Sequence, residues 1–218
     1  MIKAVIFDFD GTLVDTAKDL IDTANIIFVK YDKSQISLKE GYVVASNGIH
    51  AFLNKRFSSS EIEKFDLVSQ FKLIYQDCCN KSTNLFIGYD ELLDELYNSK
   101  VLLGIATNKP RLFTDKIVDS LKIRHFFKFI YCPDDGFKPK PSSHMLDNAI
   151  KELNINSNEI LYVGDAERDI ISSNKSNIGS VLASYGYIDP DENTETWGHD
   201  YLIHSANDLK RLLYNFSF

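Results

Sequence analysis

Two aspartates, Asp8 and Asp10, stand one residue apart directly after the apolar run Ala4-Val5-Ile6-Phe7, and Gly11 follows them. On an extended chain alternate side chains share a face, so Asp8 and Asp10 lean together while Phe9 points elsewhere. Like charges this close raise the proton affinity of one member unless a cation lies between them. The pair predicts a bound metal, a proton held in reserve, or both.

Three more clusters of polar residues follow apolar runs. Thr107-Asn108-Lys109 comes after residues 101–106 and offers a hydroxyl and an amide suited to a phosphate oxygen. Gly136-Phe137-Lys138-Pro139-Lys140-Pro141 comes after residues 129–132, and its prolines stiffen the loop that carries Lys138. Gly164-Asp165-Ala166-Glu167-Arg168-Asp169 comes after residues 160–163, with Asp165 and Asp169 one helical turn apart. Asp8, Asp10, Asp165 and Asp169 together set four carboxylates against the one ammonium of Lys138. A hard divalent cation resolves that imbalance, and all-oxygen ligands favour Mg²⁺ over zinc. Because Mg²⁺ binds through one or two carboxylates plus substrate phosphate, the set predicts a phosphorylated substrate.

These clusters must be positioned by the elements before them. The apolar runs at 4–7, 101–106, 129–132, 160–163 and 180–183 read as strands separated by helices. In residues 142–153, Met145, Leu146, Ala149, Ile150 and Leu153 fall on one helical face. Such alternation predicts an α/β fold with a parallel sheet covered on both sides, its ligands gathered beyond the carboxyl ends of the strands. Residues 16–85 break the alternation and read as an inserted helical module, with one broad apolar stripe along residues 59–80. The expected organisation is a core of residues 1–15 and 86–218 around a helical cap of residues 16–85.

Composition narrows the function classes. At 218 residues, 44% hydrophobic and 25% charged, the chain reads as globular, and no apolar run approaches a membrane span. The net charge of −7 argues against a nucleic-acid binder. Residues 1–4 lead straight into a strand without the features of a signal peptide, so a cytoplasmic protein is expected. Cys78, Cys79 and Cys132 have no metal-ligand spacing and read as reduced thiols; the five histidines share none either.

DFDGTLVDT, ATNK, KPKP and GDAERD, in that order, resemble the four motifs of the haloacid-dehalogenase-like phosphatase superfamily. The resemblance implies a Rossmann-like core with a mobile α-helical cap. It implies Asp8 as nucleophile, Asp10 as general acid and base, and Lys138 as the lysine that stabilises nucleophile and phosphate. Thr107 is implied to bind phosphate, with Asn108 and the backbone near Gly11 as further donors. Mg²⁺ would be held by Asp8, the backbone carbonyl of Asp10 and Asp165, with Asp169 in support.

Within residues 46–56, Ser-Asn-Gly-Ile-His-Ala-Phe-Leu-Asn-Lys-Arg resembles the cap segment of phosphoglycolate phosphatases, so Asn47, Gly48 and Arg56 are the expected selectors of substrate. Arg56 or Lys55 is expected to meet a substrate carboxylate. The leading substrate is 2-phosphoglycolate; sugar phosphates, nucleotides, pyrophosphate or a phosphosugar mutase reaction are alternatives. A non-enzymatic receiver-like phosphoacceptor is disfavoured, since it would need neither Asp10 nor a cap. The expected partner is a small phosphate ester bound by a monomer or homodimer, with no nucleic acid and no membrane. Ser176-Asn177 stands where the family commonly has Ala-Gly, and Asn can still take a left-handed turn there.

Overall fold

A computed structural model describes residues 1–216. The chain opens with β1 (Ala4–Phe7) and β2 (Val14–Asp15). It then forms α1 (Ala17–Lys30), α2 (Leu38–Tyr42), α3 (Gly48–Leu53), α4 (Ser59–Lys64) and α5 (Leu67–Cys78). Next come β3 (Asn84–Leu85), α6 (Tyr89–Asn98), β4 (Leu102–Ala106), α7 (Arg111–Ser120) and β5 (Phe127–Tyr131). The remainder runs α8 (His144–Leu153), β6 (Ile160–Gly164), α9 (Glu167–Lys175), β7 (Gly179–Ala183), β8 (Tyr201–Ile203) and α10 (Ala206–Asn215). Among the described residues no helix is long and apolar enough to cross a membrane.

Among the described residues, six strands form a parallel sheet in the order β5-β4-β1-β6-β7-β8. β1 lies inside the sheet and is apolar at every position because both of its faces are covered. Val5 and Phe7 face the larger core, while Ala4 and Ile6 face a second one with Met145, Leu146 and Tyr162. After β1 the chain builds β4 and β5 on one side, then crosses to β6 on the other. The crevice that forms where strand order reverses lies beyond the ends of β1, β4 and β6.

β2 and β3 pair antiparallel, Val14 with Leu85 and Asp15 with Asn84, so the five-helix insertion leaves and re-enters the core at one place. Buried Asp19 of α1 pins its return by accepting from the backbone nitrogens of Ser82 and Thr83 and from the Thr83 hydroxyl. The insertion thus stands over the sheet's carboxyl edge as a cap.

The expected strands are all present, and β8 is an addition whose three residues are too few to show a pattern. The single helix expected along residues 59–80 is instead two. Asp66 adopts a left-handed conformation, φ 48°, between α4 and α5, and this turns Phe65 toward the surface while Leu67, Phe71 and Tyr75 stay buried. Asn177 has φ 54°, the left-handed turn expected of it. Cys78, Cys79 and Cys132 are free and buried.

Candidate active site

Asp8 follows β1 and is almost wholly buried, with its backbone nitrogen donating to the Val163 carbonyl at 2.8 Å. Asp165 follows β6, one residue beyond Gly164, and Asp169 lies in the first turn of α9, where its Oδ2 accepts from the Ala166 nitrogen at 3.0 Å. The three carboxylates each present an oxygen within 4.8 Å of the others. Burial, then the charge of Asp169, pushes Asp8 up to about 6 against the pull of Lys140. Burial, then Asp8 and Asp169, pushes Asp165 up to about 7. Burial also opposes ionisation of Asp169, but Lys140 and Arg168 outweigh it and hold this carboxyl below its ordinary range.

Gly11 makes room for that cluster. Its φ of 79° suits glycine, and a Cβ there would lie 2.1 Å from Asp165 Oδ2. Its N–H donates to the Val14 carbonyl at 3.0 Å, and the Phe9 N–H donates to Asp8 Oδ1 at 2.7 Å. The Gly11 and Phe9 amides are therefore both engaged within the chain. Gly11 serves the site by its lack of a side chain.

The ammonium beside Asp8 belongs to Lys140, not to Lys138. Lys140 is buried, and its Nζ has three acceptors for three protons: Asp8 Oδ1 at 2.8 Å, Asp169 Oδ1 at 2.7 Å and the Tyr162 hydroxyl at 2.7 Å. The Tyr162 hydroxyl in turn donates to the Ala106 carbonyl at 2.8 Å. Asn108 holds the Lys140 backbone from both sides, its Oδ1 accepting from the Lys140 nitrogen at 2.8 Å and its Nδ2 donating to the Lys140 carbonyl at 2.9 Å. That clamp decides which lysine of the KPKP run enters the site. Lys138 is exposed, and its backbone nitrogen donates to His144 Nδ1 at 3.0 Å. Asn108 thus has a different task from the phosphate contact expected of its side chain.

Asp10 lies on the cavity side with Asp8 but has partners of its own. Lys109 Nζ donates to its Oδ1 at 2.9 Å and its Oδ2 at 3.1 Å, and the Thr16 hydroxyl donates to Oδ1 at 2.6 Å. Lys109 also reaches the cap, donating to the Tyr75 hydroxyl of α5 at 2.9 Å. The cation that pairs with Asp10 is therefore a second lysine, one whose partners lie far away in sequence. Thr107 lines the same cavity, its Oγ1 accepting from the Lys109 nitrogen at 3.1 Å.

On the cap side, Gly48 lines the cavity with φ 78°. Asn47 turns into a neighbouring cleft, where its Oδ1 accepts from Arg168 at 3.4 Å. Arg168 also donates to the Ser46 carbonyl at 2.7 Å, and the Ser46 hydroxyl donates to Asp165 Oδ2 at 2.8 Å. Arg56 does not reach the cavity. It donates to the Ser34 and Gln35 carbonyls at 2.9 and 3.1 Å and pairs with Glu40 at 3.1 Å, tying the loop before α2 to the end of α3. Its guanidinium is consumed inside the cap, so the expectation of a substrate carboxylate there is not met.

The donor set suits a hard cation. All of its atoms are oxygens and they are buried, and the proton affinity of Asp8 and Asp165 is raised first by burial and then by the neighbouring carboxylates, both of which a cation would offset. Asp169 is bound up with Lys140, Tyr162 and its own helix, so Asp8 and Asp165 are the carboxylates with capacity for a metal. Asp165 lines the neighbouring cleft that also holds Asn47, while the cavity over Asp8 measures about 340 Å³. Asp8, Asp10, Thr107 and Lys109 are at its base, and Leu20, Ile49, Val68, Tyr75 and Phe113 supply its walls.

A sequence model of the haloacid dehalogenase-like hydrolases matches residues 5–183. An N-acetylmuramic acid 6-phosphate phosphatase of Pseudomonas putida is 31% identical over 214 residues, covering 97% of this chain and 96% of its own. A phosphoglycolate phosphatase of Xanthomonas campestris is 29% identical over 208 residues, covering 95% and 94%. Among solved structures, a haloacid dehalogenase-like hydrolase from Streptococcus pneumoniae shares the fold at a TM-score of 0.83, with 21% identity over 97% of this chain and 98% of that one.

Proposed function

As the chain belongs to the haloacid dehalogenase-like hydrolase family, we propose that it is a phosphomonoester hydrolase working through a phosphoaspartate on Asp8. The observation that carries this reading is the buried Asp8 carboxylate, held by Lys140 at 2.8 Å, at the base of a cavity that also contains Asp10 and Thr107. Both Lys140 contacts that fix Asp8 and Asp169 keep the ammonium where an incoming phosphoryl group would need its charge.

In the reaction we propose, an Asp8 oxygen attacks phosphorus and the bond from phosphorus to the ester oxygen breaks. The leaving oxygen takes a proton from the Asp10 carboxyl group. The resulting Asp10 carboxylate then takes a proton from water, whose oxygen attacks phosphorus and restores Asp8. Lys109 and Thr16 orient the Asp10 carboxylate, and the Thr107 hydroxyl donates to a phosphoryl oxygen. Asp8, Asp165 and the backbone carbonyl of Asp10 would hold Mg²⁺, which would supply charge neutralisation between carboxylate and phosphate. Lys140 takes the role first expected of Lys138.

Among substrates, 2-phosphoglycolate is supported by the phosphoglycolate phosphatase relative and by Gly48 at the cavity wall. A second reading, N-acetylmuramic acid 6-phosphate, is favoured by the cavity's volume and apolar walls, which suit a larger leaving group than glycolate. Phosphate release from both esters, from sugar phosphates and from nucleotides, with and without EDTA, tests these proposals. Metal-dependent release that is lost in Asp8→Asn supports the mechanism; release unchanged by either treatment refutes it.

A further inference from the structure

An exposed cation with no partner among the described residues also lines the cavity. Lys72 lines it from α5, and Val68, Lys72 and Tyr75 fall at i, i+4 and i+7, on the face of that helix turned to the cavity. The other two cations at the lining are taken: Lys109 by Asp10 and Tyr75, Arg168 by the Ser46 carbonyl and Asn47. Among the described residues the Lys72 ammonium has neither an ion-pair nor a hydrogen-bond partner. Among the described residues the carboxylates at the lining are Asp8 and Asp10, each already matched by a lysine.

Ile49, Val68 and Phe113 add apolar side chains to the same lining. A ligand that fills the space would set a phosphoryl group at Asp8, an apolar stretch along those walls and a negative group at Lys72. A carboxylate gives the charge-assisted hydrogen bond an ammonium forms best, and the flexible stem of lysine lets it meet leaving groups of different lengths. We propose that Lys72 selects the leaving group, so that the esters taken here carry a carboxylate beyond the phosphate. This rests on the phosphatase reading for the placement of the phosphoryl group.

The test is calorimetric titration with 3-phosphonopropionate and with its uncharged amide, run on wild type, Lys72→Met, Lys72→Arg and, as a surface control, Lys39→Met. The wild type and the control should bind the acid about tenfold more tightly than the amide. Lys72→Met should bring the two affinities together, and Lys72→Arg should keep most of the preference. A wild type without preference, or a Lys72→Met protein that keeps it, overturns the inference. Because binding needs no turnover, a wild-type preference for the acid in a protein that releases no phosphate from 2-phosphoglycolate or N-acetylmuramic acid 6-phosphate would support the selection while refuting the phosphatase reading.

Discussion

At the residue scale, the site turns on which of two lysines is buried. Lys138 and Lys140 share a proline-bracketed run, and nothing local separates them. The discriminating contact comes from Asn108, 32 residues away, whose side chain grips the Lys140 backbone at both polar atoms. Lys140→Met leaves Asp8 and Asp169 buried without their cation, and should lower kcat at least about 100-fold. Lys138→Met should stay within about twofold of wild type, since an exposed charge contributes little. Steady-state phosphate release from the two variants checks this, and equal losses would return the role to Lys138. The carboxylate pairs, in contrast, were legible from spacing alone. Spacing singles out Asp8 with Asp10 and Asp165 with Asp169, although Asp8 and Asp10 stand beyond the end of β1 at Phe7, and Asp165 stands outside α9 with an extended Ala166 before the helix. Lys109 and Tyr75 could not be found that way, because their meeting depends on how α5 settles over β4.

At the scale of elements, the turn after β1 and the helix α5 set the limits on change. Gly11→Ala adds a Cβ within 2.1 Å of Asp165 Oδ2 at a φ of 79°. It should cost about 1–3 kcal/mol of stability, read as a lower denaturant midpoint, and a midpoint equal to wild type would refute the close approach. The long apolar stripe of residues 59–80 was legible as helix, but its break was not. A left-handed Asp66 follows from packing Phe71 and Tyr75 inward while Ile62 keeps its own buried place on α4. Strand β8, an edge of three residues, likewise shows itself only by pairing with β7.

At the scale of the whole molecule, the buried acids couple stability to pH and to metal. Asp8 and Asp165 bind protons more tightly in the fold than in the unfolded chain, with values of about 6 and 7. Their contribution to stability is therefore fully present below the ordinary carboxylate range and is lost as pH rises through 6 to 7. Asp169, held low by Lys140 and Arg168, works in the opposite sense and loses its contribution only in acid. A bound cation replaces the missing protons, so the rise in melting temperature on adding Mg²⁺ should be larger at pH 8 than at pH 5. Scanning calorimetry at the two pH values checks this, and equal rises would refute the assignment of Asp8 and Asp165 to the metal. The burial of Lys140 has one more consequence, for amine-reactive labelling. Its ammonium is fully enclosed and hydrogen-bonded by two carboxylates and a phenol, so an acylating reagent cannot reach it in the native fold. Lys138, two residues away, is open to the same reagent. Peptide mass spectrometry should find Lys138 labelled within the first exposure and Lys140 labelled only at the rate of unfolding, making adjacent lysines a clock and its zero mark in one peptide.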